Sequence, residues 1–352
     1  MNIYIDPFSY IFLSNKLFIK DSSYNPPYDL EVLSYLKKYC LERNINLNTI
    51  DFWSEDKKTS EDIYVSLEHK DLFRKIYWRF KNRNYPIFKL NDFKKRILFQ
   101  SEPPTVLPEV YGNINSLFKI YDKAYFSYKL NDPRCHYFHI PQPYNNILLE
   151  YWENSNRKFL VMINKNKKKR LSRQLLILAN RKRLPFQREL LGDRIEIIEF
   201  FSRTKEIDLY GVDWDKYPPF PYWFYKSALQ KVYKGKVKSK HQKLSEYNFA
   251  IAFENNIGQG FIGEAIFDCF YVGTVPIYLG APDIQEYVPK ECFIDMRDFK
   301  DYEELKLFLK SLKKSQIQSY KENARQFLES AQCKPFTKEH FAEIFVVACK
   351  NE

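Results

Sequence analysis

Apolar residues along this chain fall into two spacings. Short runs of four to seven fit buried strands, and recurrences at every third or fourth position fit helices. Residues 3–5 read as a strand, and 29–41 as an amphipathic helix with Leu30, Leu33, Leu36 and Leu41 on or near one face. Residues 46–52, 62–67 and 96–99 are further strand candidates. The basic, aromatic stretch 71–90 between them reads as a solvated helix with one packed side. A helix-to-strand pattern over 118–125 and 134–140 completes an α/β half, and 141–157 reads as a linker.

The second half repeats the alternation. Residues 158–163 predict a strand that runs into Asn164, Lys165 and Asn166, and 171–180 a helix. A stronger helix is expected over 193–202, with Ile195, Ile198 and Phe201 on one face, followed by a strand over 207–210 ending at Gly211. The tract 216–225, KYPPFPYWFY, is too proline-rich for regular structure; 234–240 continues that loop, and a short helix is expected over 239–246. Residues 249–253 then form an apolar run ending at Glu254, Asn255 and Asn256. A loop with Gly258 and Gly260 follows, then Ile262, Ile266 and Phe270 at helical spacing with Gly273 as the stop. Residues 275–279, closed by Gly280, give a second strand. Helices are expected over 302–312, 315–331 and 341–349, and no internal repeat is visible.

Strand, glycine loop, helix and strand make a βαβ unit. Parallel pairing sets its loop and helix start at the carboxyl ends of the strands, where α/β sheets hold ligands. Glycines admit a phosphate close to the backbone, and free N–H groups at a helix start attract it. Glu264 falls in the first helical turn, either accepting hydroxyl hydrogen bonds or only complementing the helix dipole. At the end of strand 96–99, Glu102 precedes Pro103 and Pro104, which fix a turn: it reads as a positioned general base or as an exposed turn carboxylate.

Composition narrows the class. With 45% hydrophobic residues over 352 positions, the chain has enough apolar surface for two domains. The 27 tyrosines and 30 phenylalanines fit either sugar stacking or the bias of AT-rich coding, and the coding explanation is preferred. The net charge is +12, and the stretch 157–188 holds twelve basic residues and no acidic one, so the remainder is near neutral. One concentrated patch fits an anionic small ligand, an anionic membrane surface or nucleic acid. Aromatic residues barely interleave with those cations, which argues against a nucleic-acid platform. Six cysteines without CxxC pairs and five scattered histidines give no zinc spacing and predict free thiols in a reducing compartment. No window approaches the ~20 apolar residues of a membrane span, and the start lacks the pattern of a signal peptide. A soluble cytoplasmic protein without a type II Golgi anchor is expected, with room for peripheral membrane contact through 157–188.

The stretch 249–299 resembles the α1,3/α1,4-fucosyltransferases, in particular their soluble bacterial branch. The matching residues are Phe253-Glu254-Asn255, Glu264, Val275-Pro276-Ile277-Tyr278-Leu279-Gly280, and Pro289 with Phe293-Ile294. Arg194 with its helix, Asp208-Leu209-Tyr210-Gly211, Tyr233-Lys234-Gly235 with Lys240, and Glu102-Pro103-Pro104 resemble further family segments, so the likeness covers about 95–330. It implies an α/β GT-B fold, two Rossmann-like α/β domains facing across a cleft. Residues 1–150 would bind acceptor and 151–330 the GDP-sugar donor, with 331–352 a C-terminal helix. The implied reaction moves L-fucose from GDP-β-L-fucose to a glycan hydroxyl with inversion and without an obligatory metal or other cofactor; nucleic acid is not an expected partner.

By position, the resemblance makes Glu102 the base, Arg194 the diphosphate cation and Glu264 a contact to donor hydroxyls, with Asn166, Asn255, Phe261 and Lys240 as further donor-site residues. Two departures stand out. The family's Tyr-Val-Thr-Glu-Lys is Phe261-Ile262-Gly263-Glu264-Ala265 here, so a tyrosine hydroxyl and a lysine are missing. Losing a charge-assisted contact of that kind costs about 1.5–3 kcal/mol. Lys240, Lys165 and Lys167 are the candidate replacements. Two other readings stay open: a GT-B transferase using another nucleotide sugar, and a catalytically silent nucleotide- or polyanion-binding protein.

Overall fold

The computed structural model describes residues 1–20, 27–70, 72–154, 156–166, 171–218 and 221–350. It divides into two compact units. The first comprises Met1–Pro143, Lys182–Pro185 and the chain from Pro335 onward; the second comprises Tyr144–Arg181 and Phe186–Lys334.

Six parallel strands build the first unit's sheet: β1 (Asn2–Asp6), β2 (Asn46–Thr49), β3 (Ile63–Leu67), β4 (Lys95–Gln100), β5 (Lys123–Phe126) and β6 (Cys135–Tyr137), in the order β2-β1-β3-β4-β5-β6. All five residues of β3 are buried, as a strand covered on both faces requires. The helices Pro27–Leu41 and Lys338–Lys350 close one face through Leu33, Leu36, Phe341 and Phe345, which pack with Ile97 and Phe99 of β4. The last helix of the chain therefore completes the first unit's core.

Several segments are shorter than their patterns predict: the strand expected over 134–140 is confined to Cys135–Tyr137, and the helix expected over 239–246 to Lys240–Leu244. Strand 46–52 stops at Thr49, where the Asn15 side chain accepts the Thr49 N–H at 2.8 Å and the chain winds into the turn Ile50–Phe52. In 71–90 only Leu72–Lys81 is helical, because the chain turns at Asn82–Tyr85 ahead of Pro86; residue 71 lies outside the described residues.

The second unit's strands are β7 (Lys158–Ile163), β8 (Ile207–Tyr210), β9 (Tyr247–Phe253), β10 (Val275–Leu279) and β11 (Ile294–Asp295), all parallel, in the order β11-β10-β9-β7-β8. The helix Leu191–Ser202 buries Ile195, Ile198 and Phe201 in a core with Leu209, Phe249, Ile251 and Ile277. One helix, Lys226–Val232, has no counterpart in the sequence reading: it rests on Leu229 and Val232 alone, and the proline-rich tract hides its start. Ile262 lies in the loop ahead of the helix Glu264–Tyr271. All six cysteines are free thiols.

Candidate donor and base sites

In the second unit the strand order reverses between β7 and β9, and an open α/β sheet binds its ligand outside the carboxyl ends at such a reversal. β7 delivers Asn164, Lys165 and Asn166 there, and β9 delivers Glu254, Asn255 and Asn256. Asn166 is buried and ties the end of β7 to the loop after β8: its Nδ2 donates to the Asp213 carbonyl at 3.0 Å and its N–H to Val212 at 3.0 Å. Its Oδ1 has no hydrogen-bond donor among the described residues.

Residues 187–190 run antiparallel to 255–257 and bring the start of the helix Leu191–Ser202 against the end of β9. Gln187 N–H meets Ile257 O at 2.8 Å, and Leu190 N–H meets Asn255 O at 3.0 Å. Arg194, one turn into that helix, is buried. Its Nε donates to Phe253 O at 3.1 Å, its Nη2 reaches the same oxygen, and its Nη1 donates to Asn255 Oδ1 at 3.2 Å. Burial lowers the guanidinium to about 10, opposed by Glu254, Glu264 and Asp193, so it keeps its charge at neutral pH.

Glu254 sits in the middle of this group. Its N–H joins Leu279 O at 2.8 Å, and its Oε1 accepts the N–H of Gly263, the residue that precedes the helix Glu264–Tyr271. A Cβ on Gly280 would lie 2.4 Å from Glu254 Cγ, so glycine there is a requirement of packing. Burial pushes the Glu254 carboxyl up to about 7, and Glu264 pushes the same way, against Gly263, Arg194 and Lys240. The sequence marks Glu254 as the acid that ends a strand and as part of the Phe253-Glu254-Asn255 match, and gives it no role of its own. Its signal was the same Phe-Glu-Asn triplet, read for its asparagine and not for its carboxylate.

Glu264 is exposed at the first turn. Asp268, four residues on and on the same side of the helix, is buried and pairs with a lysine and a histidine. Lys240 Nζ lies 2.5 Å from its Oδ2 and His241 Nε2 lies 2.9 Å from its Oδ1. Burial disfavours the Lys240 charge, yet Asp268 and Glu264 together raise its pKa above that of an ordinary lysine. Lys240 thus stands beside the helical turns that carry Glu264 and Ala265. Lys165 makes only a loose pair with Asp213, at 3.9 Å, and Lys167 lies outside the described residues. Phe261 is buried in the glycine loop. No group of three or more His, Cys, Asp or Glu is placed to hold a metal among the described residues.

In the first unit Glu102 lies two residues beyond β4, on the carboxyl edge of the sheet. Its main-chain oxygen accepts from Tyr111 Oη at 2.8 Å and from Gln100 Nε2 at 3.2 Å.

The basic stretch 157–188 divides on inspection. Arg157 is an internal strut whose guanidinium donates to the carbonyls of Gly273 (2.7 Å), Val272 (2.9 Å) and Tyr247 (3.2 Å). Lys158 pairs with Asp208 at 3.7 Å and Arg188 with Asp193 at 2.7 Å. Residues 167–170 lie outside the described residues. The helix Leu171–Asn180 exposes Leu175, Leu176 and Leu178. No helix among the described residues is long and apolar enough to cross a membrane.

Comparison with known proteins finds both a family match and a shared fold. Residues 186–350 match the family described as glycosyltransferase family 10 (fucosyltransferase), C-terminal part. An alpha-(1,3)-fucosyltransferase of Helicobacter pylori is 37% identical over 76 residues, which are 22% of this chain and 16% of that protein. An alpha-(1,4)-fucosyltransferase of Arabidopsis thaliana is 36% identical over 72 residues, 20% of this chain and 18% of that protein. The aligned stretches therefore span less than a fifth of either relative. Among solved structures, an alpha1,3-fucosyltransferase with GDP superposes over 100% of this chain and 91% of its own, with TM-score 0.52 and 14% identity. An alpha-glucosyltransferase with UDP covers 99% and 100%, with TM-score 0.56 and 10% identity. These likenesses show the fold, which is GT-B.

Proposed function

We propose, from the match of residues 186–350 to the family described as glycosyltransferase family 10 (fucosyltransferase), that the protein transfers L-fucose from GDP-β-L-fucose to a hydroxyl of a glycan acceptor, in the α1,3 manner. The observation that carries this reading is the cluster of Arg194, Glu254, Glu264 and Lys240 around the strand reversal of the second unit. In it two cations and a helix N-terminus stand where a diphosphate would lie, with an exposed carboxylate at the same helix start.

The second unit would bind donor and the first would bind acceptor. The acceptor oxygen attacks the anomeric carbon as its bond to the diphosphate breaks, which inverts that carbon. Glu102 would take the hydroxyl proton, and the bonding pair leaves with GDP. Charge grows on the diphosphate in that transition state. Arg194, Lys240 and the free N–H groups of the helix Glu264–Tyr271 would meet it without a metal ion. Glu264 would accept from fucose hydroxyls, with Asn255 and the buried Asn166 at the ends of β9 and β7 and Phe261 in the glycine loop.

Location follows the same reading. The protein would work in the cytoplasm and touch anionic membrane through the exposed Arg181, Lys182 and Arg183 of the basic stretch 157–188 and the exposed leucines of Leu171–Asn180. The exposed leucines beside cations support it.

The test is a glycan array probed with labelled GDP-fucose, run in parallel with UDP-sugars. Label transferred from GDP-fucose alone is the expected result. Transfer only from a UDP-sugar, or none from any donor while GDP binds, would overturn it.

A further inference from the structure

The turn that carries Glu102 has no regular structure, yet no carbonyl in it from Gln100 to Pro103 lacks a donor. Ser127 N–H meets Gln100 O at 3.1 Å, and Ser127 Oγ donates to Ser101 O at 3.0 Å. Gln100 Nε2 and Tyr111 Oη both donate to Glu102 O, at 3.2 and 2.8 Å. Pro103 O accepts from Val106 N–H at 2.8 Å and from Leu107 N–H at 3.0 Å. Pro103 and Pro104 have no N–H of their own and restrict the main chain further.

The donors are themselves held. Gln100, the last residue of β4, is fully buried, and its Oε1 accepts the His69 N–H at 3.1 Å. One amide thus joins the loop after β3 to the turn after β4, with both of its ends occupied. Tyr111 is 1% exposed and sits between Phe126 and Tyr128, at ring separations of 5.7 Å. Its ring has one packed position, which aims its hydroxyl at Glu102 O. Surface-turn carbonyls are ordinarily satisfied by water. Two buried side chains converging on one of them fix the Glu102 main chain in place.

We propose that Gln100 and Tyr111 are positioning residues for Glu102, holding its Cα so that the carboxylate stands at one spot on the carboxyl edge of the first sheet. This rests on the reading of Glu102 as the base. A base works only within hydrogen-bond reach of the proton it takes, and displacement of about 1 Å costs up to a hundredfold in rate. Neither residue touches substrate in this account; both act through the Glu102 main chain.

The test compares Tyr111→Phe and Glu102→Gln with the parent, reading kcat, the KM for GDP-fucose, GDP affinity and melting temperature. Tyr111→Phe removes one hydroxyl and leaves Gln100 on the same carbonyl, so the chain keeps its fold. Its kcat should fall about tenfold with GDP affinity and KM for GDP-fucose within about twofold of the parent. If the hydroxyl is purely stabilising, its loss would lower the melting temperature and leave kcat unchanged. That result, with Glu102→Gln inactive, overturns the positioning role alone. Parental turnover by Glu102→Gln overturns the base reading and the positioning role with it. Should Tyr111→Phe not fold, Ser127→Ala, which releases only the Ser101 carbonyl, is read against the same expectation.

Discussion

Glu254 accepts the backbone N–H of Gly263 at 2.7 Å, and this single bond couples the end of β9 to the start of the helix Glu264–Tyr271. The carboxylate that makes it is buried beside Arg194 and Glu264, so the candidate donor cluster contains a group whose charge depends on pH near neutrality.

Folding raises the Glu254 carboxyl from its ordinary 4.5 to about 7, so the folded chain holds this proton more tightly than the unfolded one. The stability it contributes is full below pH 4.5 and declines as pH rises through about 7. Glu254→Gln keeps an oxygen for Gly263 and removes the titration. Between pH 5 and 8 the parent should lose about 2–3 kcal/mol relative to Glu254→Gln, measured by denaturant unfolding across pH. Parallel pH profiles for the two proteins would contradict it.

Gly280 packs directly on the same carboxylate side chain. An alanine Cβ there would lie 2.4 Å from both Glu254 Cγ and Tyr278 Oη, in a site where neither neighbour has room to move. Gly280→Ala should lower stability by about 1–3 kcal/mol and weaken GDP binding together, because one clash displaces both the strand end and Glu254. Unfolding curves and GDP titration on the same sample check it.

Lys240 and Asp268 separate charge from scaffold. Lys240→Met leaves Asp268 buried with His241 alone and should cost about 2–3 kcal/mol, less than a wholly buried pair because Lys240 is partly exposed. It should also weaken GDP binding about tenfold, as loss of a cation near a diphosphate does. Asp268→Asn should cost comparable stability yet retain most GDP affinity, since the ammonium remains. Equal GDP affinities for Lys240→Met and the parent would remove Lys240 from the donor site.

Much of the second unit was legible in its sequence. Parallel strands buried on both faces become unbroken apolar runs, so β9 and β10 stand out, and Gly273 marks where the helix between them stops. The Asp268 pair was not legible. Lys240 lies on the short helix Lys240–Leu244 and meets Asp268 only because that helix packs on Glu264–Tyr271, a tertiary contact with no local pattern. Gln100 was hidden for a related reason: a buried amide inside an apolar strand looks like a stray polar residue until both of its partners are in place. The closing of the first unit by Lys338–Lys350 depends on the whole chain's path, and no window of sequence contains it.

Removal of metal gives a fourth expectation. If Arg194, Lys240 and helix N–H groups meet the leaving charge as proposed, transfer from GDP-fucose should persist in excess EDTA at no less than about half the untreated rate. Loss of transfer that added divalent cation restores would show that these groups do not suffice.

The central claim is that Arg194 and its neighbours receive a guanosine diphosphate. Equilibrium titration of GDP and UDP into the parent and Arg194→Ala tests it most directly. The account predicts that GDP binds the parent more tightly than UDP, and that Arg194→Ala weakens GDP by at least about tenfold, a loss of about 1.4 kcal/mol or more. Equal affinity for the two nucleotides, or GDP binding unchanged in a folded Arg194→Ala, would contradict it.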